Sequence, residues 1–328
     1  MRPGRHVAGV LACLFVAAFA LTGCSFWIDD DPLEFPFRDE MRSFVALLGT
    51  HARAEEPDFL IVPQNGEALI TLDGSPSGTL AADYVRAIDG LGREDLFFGY
   101  TDDDVATPMP VRTEMLAWLD LAQQQGIEVL VADYCSTPAH VATSHAENAA
   151  LGHASFAAPR RNLDVIPDGP PFAVHANDVR SLADVRNLLY LINPSGFPDR
   201  ADLLGALRAT DYDLLILDPF AEDGERLAVA EIATLNTKAG GGSRLVLAYL
   251  SIGEAEDYRT YWLPEWASDP PHWLEAESPE WPGNYLVRYW EAAWQEIVFA
   301  ELDAILAAGF DGVYLDKIDA YESFESDV

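Results

Sequence analysis

The sequence predicts an α/β fold, a single-domain (β/α)8 barrel. Three observations predict it. Short, near-continuous Val/Ile/Leu runs mark strands buried on both faces, as in a parallel sheet. Helix-period segments lie between such runs, and two of them end at a glycine directly before the next run. The runs, with two weaker ones, number eight, which suits a closed barrel better than an open sheet.

In chain order, residues 1–23 read as an export signal. Arg2, Arg5 and His6 make a basic start, and residues 7–20 are apolar but short for a membrane span. Leu21-Thr22-Gly23-Cys24 reads as a lipobox, so Cys24 is the expected lipidated residue of an exported bacterial lipoprotein on a cell-membrane, outer-membrane or periplasmic surface. Residues 24–37, with Asp29, Asp30, Asp31, Pro32 and Pro36, read as a tether. Residues 38–328 are the barrel domain.

Residues 38–54 place Met41, Phe44, Val45 and Leu48 on one helical face. The run at 59–62 is followed by PQNG. A weak strand lies within 88–98. A helix over 111–125 stops at Gly126, before the run EVLVADY at 128–134. ASFAA at 154–158 is the second weak strand, and the proline-bearing stretch 160–185 is an irregular connection. LLYLIN (188–193), DLLILD (213–218) and RLVLAYLSIG (244–253) follow. A long helix over 285–308 ends at Gly309, before GVYLDKID at 312–319.

Composition narrows the function. Asp plus Glu is 54 against 20 Lys plus Arg, a net charge of −34. Eighteen of the basic residues are Arg; the lysines are Lys238 and Lys317. So negative a surface repels phosphate backbones, which excludes nucleic acid as the expected partner and favours a neutral or cationic one. At 49% hydrophobic residues the chain is not an acidic disordered segment. Cys135 is the one cysteine beyond the lipobox and reads as a small core residue. No dinucleotide, P-loop, HExxH or GxSxG motif is present, and His140, His145 and His153 share no strong ligand spacing, so no metal or cofactor is expected.

The chemistry-bearing pattern lies at the strand ends. Three runs end in Asp133, Asp218 and Asp316, a fourth in Glu254, and a fifth in Gln64-Asn65. In a parallel barrel these ends share one face, the face that carries active sites. A single Asp after a strand is commonly a helix cap; four acids on one rim exceed what capping explains. Clustered carboxylates without metal spacing suit glycoside hydrolysis, in which one acid protonates the leaving oxygen and a second carboxylate is nucleophile or base. Six of the eight Trp fall between residues 262 and 294. Trp290 and Trp294 have core spacing, whereas Trp262 and its neighbours in the Pro-rich loop suit stacking on sugar faces.

Longer motifs carry a resemblance. YLSIGEAEDYR at 249–259, PEWPGNY at 279–285 and GFDGVYLD at 309–316 with Asp319-Ala-Tyr321 resemble the endo-α-1,4-polygalactosaminidase family of glycoside hydrolases, family 114 and its archaeal and bacterial relatives. PQNG at 63–66 and GLGREDLFF at 90–98 look like later segments of the same family. The resemblance implies a TIM barrel acting on a galactosamine polymer, cationic when not acetylated. It also implies an exchanged order: in simpler members the counterpart of 188–321 precedes that of 40–165, so this chain resembles a circular permutation, with halves 38–165 and 188–328. Helix 38–54 is then expected beside the strand ending at Asp316, with the chain ends adjacent.

By the same resemblance Asp316 is the nucleophile or charge stabiliser and Glu94 the general acid/base. Apolarity alone makes residues 95–100 the strand and puts Glu94 at its wrong end; the family pattern makes 88–93 the strand, with Glu94 on the rim. Gln64, Asp218, Tyr249, Glu254, Tyr258, Arg259, Asp319 and Tyr321 are the implied substrate-binding or supporting residues, beside Asn65, Asp133 and Trp262 from the patterns above. Lys317 is expected to point away from Asp316, because neighbours on a strand alternate. The expected protein is a monomeric, lipid-anchored endo-hydrolase of an amino-sugar polysaccharide. The alternative is a non-catalytic glycan-binding surface lipoprotein that uses the same rim.

Overall fold

A computed structural model describes residues 35–326, of which those from Pro36 onward fall in one compact unit. The expected signal and Cys24 lie outside the described residues, as does most of the tether. The chain is an α/β fold built on parallel strands. In order it runs α1 (Phe37–Glu55), β1 (Leu60–Pro63), α2 (Ala82–Ala87), β2 (Gly90–Glu94), α3 (Met109–Gln124), β3 (Glu128–Tyr134), α4 (Pro138–Leu151) and β4 (Ala154–Ala158). Then come β5 (Leu188–Leu191), α5 (Arg200–Arg208), β6 (Leu214–Leu217), α6 (Val229–Leu235) and β7 (Leu245–Ser251). The strands β8 (Glu254–Glu256), β9 (Leu274–Glu277) and β10 (Asn284–Val287) precede α7 (Ala292–Ala308), β11 (Gly312–Asp316) and α8 (Tyr321–Glu325).

Eight of these strands pair in parallel. One sheet has the order β1-β11-β7-β6-β5 and another β2-β3-β4. Single parallel bridges, Gln64 to Gly92 and Ser155 to Asn187, link β1 to β2 and β4 to the start of β5. The parallel pattern follows from composition: β5, β6 and β7 are buried along their whole length, so both faces must be covered by protein.

The weak strand β2 runs over Gly90–Glu94, with Glu94 at its carboxyl end. The apolar residues after it, Leu96, Phe97 and Phe98, are buried but belong to a loop. Asp133 holds that loop inward by accepting from the backbone N–H of Phe97 at 2.7 Å and Phe98 at 3.2 Å. Strand β2 itself carries glycine where bulk is absent for a reason. A Cβ on Gly92 would stand 2.0 Å from the Tyr314 hydroxyl and 2.5 Å from its ring.

The expected helix over 285–308 starts later, at Ala292. Residues before it form β10, the middle strand of a three-stranded antiparallel sheet, β8-β10-β9, inserted between β7 and α7. The tryptophans knit this insertion together. Trp262, Trp266, Trp273 and Trp294 follow one another at ring separations of 5.2, 5.1 and 5.2 Å, and Trp294 donates its indole N–H to Ile252 O at 2.8 Å.

Helix α1 buries Met41, Phe44, Val45, Leu48 and Ala52, the face the 3.6-residue period marks. It packs against α2, α7 and α8. Its start meets the end of the chain: Arg38 donates twice to Glu325, at 2.8 and 2.9 Å, and Phe37 stacks on Phe324 with ring centroids 5.5 Å apart.

Candidate active site

The carboxyl ends of the parallel strands open into a cavity of about 1140 Å³. The strand ends deliver one to three side chains each to it. Gln64 and Asn65 come from the end of β1, Glu94 from β2, Tyr134 from β3 and Tyr190 from β5. Asp218 follows β6, Tyr249 lies on β7, and Asp316, Lys317 and Asp319 follow from β11. The inserted sheet and its loops add Glu256, Tyr258, Arg259, Trp281 and Asn284 as one wall, and Tyr100 and Arg161 stand in the other.

Three of these strand ends share a backbone device. The residue after the last inward side chain is left-handed in each case: Asn65 at φ 59°, Asp95 at φ 60° and Lys317 at φ 60°. Asn and Asp tolerate this region, whereas Lys is strained there by roughly 1 kcal/mol or more. The turn reverses the alternation expected of a strand. Lys317 therefore faces the cavity with Asp316 instead of pointing away from it, correcting the sequence expectation.

A layer of tyrosines supports the polar groups from below. Tyr134 donates a short hydrogen bond to Glu94 Oε1, Tyr190 donates to Gln64 Oε1 at 2.8 Å, and Tyr249 donates to Asp316 Oδ2 at 2.7 Å. Burial raises all three hydroxyls well above the usual tyrosine range, so they remain donors. Glu94 is further fixed by Asn65, whose Nδ2 donates to Oε2 at 3.3 Å and whose Oδ1 accepts the Glu94 N–H at 3.3 Å. Arg161 lies 3.9 Å from the Tyr134 ring centre and is itself held by Asp95 at 2.9 Å.

Glu94 and Asp316 stand on β2 and β11, the strands on either side of β1. Strand spacing puts their backbones roughly 10 Å apart, near enough for two inward carboxyls to approach a common substrate. Burial pushes the Asp316 carboxyl up to about 6; the Lys317 charge opposes this and Glu94 adds to it. Asp319 is pushed up to about 7, by burial first and then by the Asp316 charge. Its carboxyl accepts no hydrogen bond from the described residues. Carboxyls that titrate near neutrality inside a cleft can exchange protons at working pH.

Of the expected site residues, Asp316, Glu94, Gln64, Asn65, Tyr249, Asp218, Tyr258, Arg259 and Asp319 line this one cavity. Asp218 and Arg259 form an ion pair at 2.8 Å, with Arg259 also bound to Glu256 at 2.5 Å. Four do not reach it. Glu254 stands behind the wall, where it binds Lys317 Nζ at 3.0 Å. Asp133 is wholly buried, its oxygens taken up by Phe97, Phe98, Ser144 and Asn148, so it anchors a loop and α4. Tyr321 is buried beneath Arg38. Trp262 packs on Trp266 and Tyr285, inside the insertion.

Tyr134, Tyr190, Arg161, Glu256 and Asn284 are site residues that sequence reading did not single out. Tyr134 follows Asp133 at the end of the EVLVADY strand, where a tyrosine carries no sequence signal of its own. Among the described residues, no three His, Cys, Asp or Glu are grouped to hold a metal ion.

Comparisons with known proteins give a family relation for the second half of the chain. Residues 207–328 match the sequence model of Glycoside-hydrolase family GH114. An uncharacterized protein of Deinococcus radiodurans is 45% identical over 123 residues, 38% of this chain and 38% of that protein. An uncharacterized protein of Methanocaldococcus jannaschii is 41% identical over 155 residues, 44% of each chain. One of Thermotoga maritima is 39% identical over 116 residues, 35% of each. The matches thus span about two fifths of these relatives.

Proposed function

From the relation of residues 207–328 to a glycoside-hydrolase family, and from the cavity around Glu94 and Asp316, we propose that the protein is an endo-acting glycoside hydrolase. Its proposed substrate is α-1,4-linked galactosamine or a related amino-sugar polysaccharide. The observation that carries the reading is the pair itself: two carboxyls from strands flanking β1, in one cavity, each gripped by a buried tyrosine hydroxyl.

Glu94 gives its proton to the glycosidic oxygen as the bond to the anomeric carbon breaks. Ionised Asp316 faces the positive charge that develops on that carbon. Water then supplies the hydroxyl, its proton going to the freed carboxylate of Glu94 when configuration is retained and to Asp316 when it is inverted. A separation of about 5–5.5 Å between the carboxyls gives retention, and about 6.5–9.5 Å gives inversion. Charge selects the substrate. Nine carboxylates line the cavity against Arg161, Arg259 and Lys317, a field that draws in a polycation. Tyr100, Tyr258 and Trp281 stand exposed at its mouth and offer flat surfaces for sugar rings.

The inter-sheet bridges support one closed barrel of eight parallel strands, in ring order β1 to β7 and then β11. The packing of α1 on α7 and α8, the β1–β11 pairing and the Arg38–Glu325 contact support the exchanged order of halves. A local match confined to one stretch is what such an exchange produces. Export and lipidation at Cys24 rest on the sequence of the first 24 residues.

The test is hydrolysis of polygalactosamine beside its fully N-acetylated form, read as new reducing ends. The proposal expects faster release from the free amine. Activity confined to the acetylated polymer would remove the charge argument, and activity on neither would remove this substrate class.

A further inference from the structure

In a chain that uses Arg for 18 of its 20 cations, the residue beside Asp316 is a Lys. Its placement is costly. Lys317 adopts φ 60°, a region disfavoured for a long side chain, and its carbonyl is pressed against Gly253, where a Cβ would stand 2.1 Å from Lys317 O. The turn has a consequence: the ammonium stays at the cavity instead of leaving for the outer face. There it is held at 3.0 Å by Glu254 Oε1, while Asn284 Nδ2 donates to Glu254 Oε2 at 3.3 Å. Glu254 and Asn284 sit on β8 and β10, so the clamp comes from the inserted sheet. Meanwhile the Lys317 backbone N–H donates to Asp316 Oδ1 at 2.8 Å.

We propose that Lys317, clamped by Glu254 of the inserted sheet, is the positioning residue that keeps Asp316 ionised and facing the substrate. The proposal rests on the reading of Asp316 as the reacting carboxylate. The surroundings of Asp316 leave this task to Lys317. Glu94 faces it from β2 and Asp319 from the turn after β11, and neither can supply positive charge. Tyr249 from β7 and Tyr190 from β5 are neutral hydroxyls. Burial opposes ionisation most strongly, and Lys317 is the leading charge that favours it. A lysine suits the position because it is a compact point charge: one donor reaches Glu254 while the field acts on Asp316. A guanidinium fork would engage one carboxylate in a plane.

The experiment follows the titration of Asp316 directly, by carboxyl carbon NMR of the full chain without substrate, assigned against Asp316→Asn. The variants are Lys317→Gly and Lys317→Asn, both of which accept the left-handed backbone and so keep the fold. Each should raise the Asp316 midpoint by roughly one pH unit or more. Lys317→Arg, which keeps the charge, should hold it near the wild-type value. A midpoint that stays put in folded Lys317→Gly and Lys317→Asn overturns the proposal and leaves Lys317 as a strut for the insertion. The readout needs no turnover. A protein that hydrolyses no glycan yet shows the shifted midpoint rejects the hydrolase reading alone; active enzyme with an unmoved midpoint rejects this proposal alone.

Discussion

Asp316 has an ordinary carboxyl's chemistry placed where water is scarce, and that gives two consequences. Its folded value is about 6 against 3.8 in an open chain, with burial the first cause. Between these values the folded state holds the proton that the unfolded state has lost, so stability falls as pH rises through this window. Above about 6 the loss is complete and amounts to at most on the order of 3 kcal/mol. Asp316→Asn should therefore leave stability near pH 4 almost unchanged and raise it at pH 7, as measured by urea unfolding at both pH values. Equal destabilisation at both would show that the carboxylate is a structural partner and not a held charge. Activity has the opposite sign: kcat/KM should rise with pH through about 6, as Asp316 ionises. Asp316, Glu94 and Gln64 were legible because strand ends and motifs mark them. Lys317 was misread because alternation assumes an extended backbone, and the left-handed turn reveals itself only in three dimensions. The partners of Tyr134 and Tyr249 were equally hidden, since they come from other strands.

At the scale of elements, β2 shows how a strand can be masked. Its Gly-Leu-Gly-Arg-Glu has little apolar signal because the Tyr314 ring fills the space a side chain at Gly92 would take. The neighbouring Leu96-Phe97-Phe98 has the stronger signal but is a loop held down by Asp133. Gly92→Ala should thus overpack the interior, lowering stability by about 1–3 kcal/mol in chemical unfolding. A neutral result would mean that Tyr314 moves freely. The inserted sheet gives little sequence signal: its strands are three or four residues long, β9 lies in the Pro-rich loop and β10 overlaps the start of the expected helix. Trp262 was assigned to sugar binding because loop aromatics often serve that end, whereas its partners Trp266 and Tyr285 make it part of the packing. Trp273→Ala, which removes the buried middle of that stack, should cost about 3–5 kcal/mol and weaken the wall that carries Glu256 and Asn284.

For the whole molecule, the excess of acid acquires a place. Part of the −34 lines one cavity, where nine carboxylates face three cations. The parallel α/β class was legible from periodicity alone, but the neighbours of α1 follow from long-range pairing of β1 with β11. If the halves are exchanged, joining residue 326 to residue 37 by a short linker and opening the chain within 160–185 should give a folded protein of similar activity. An insoluble product would argue against that order.

The central claim is that Glu94 and Asp316 cut a glycan in this cavity. Its most direct measurement is reducing-end release from polygalactosamine by wild type, Glu94→Gln and Asp316→Asn, with binding of the polymer followed in parallel. The account predicts release by wild type, a loss of at least about 10²–10⁴-fold in each variant, and binding retained in Glu94→Gln. Wild type that binds the polymer but releases no ends, or variants that cut as well as wild type, would contradict it.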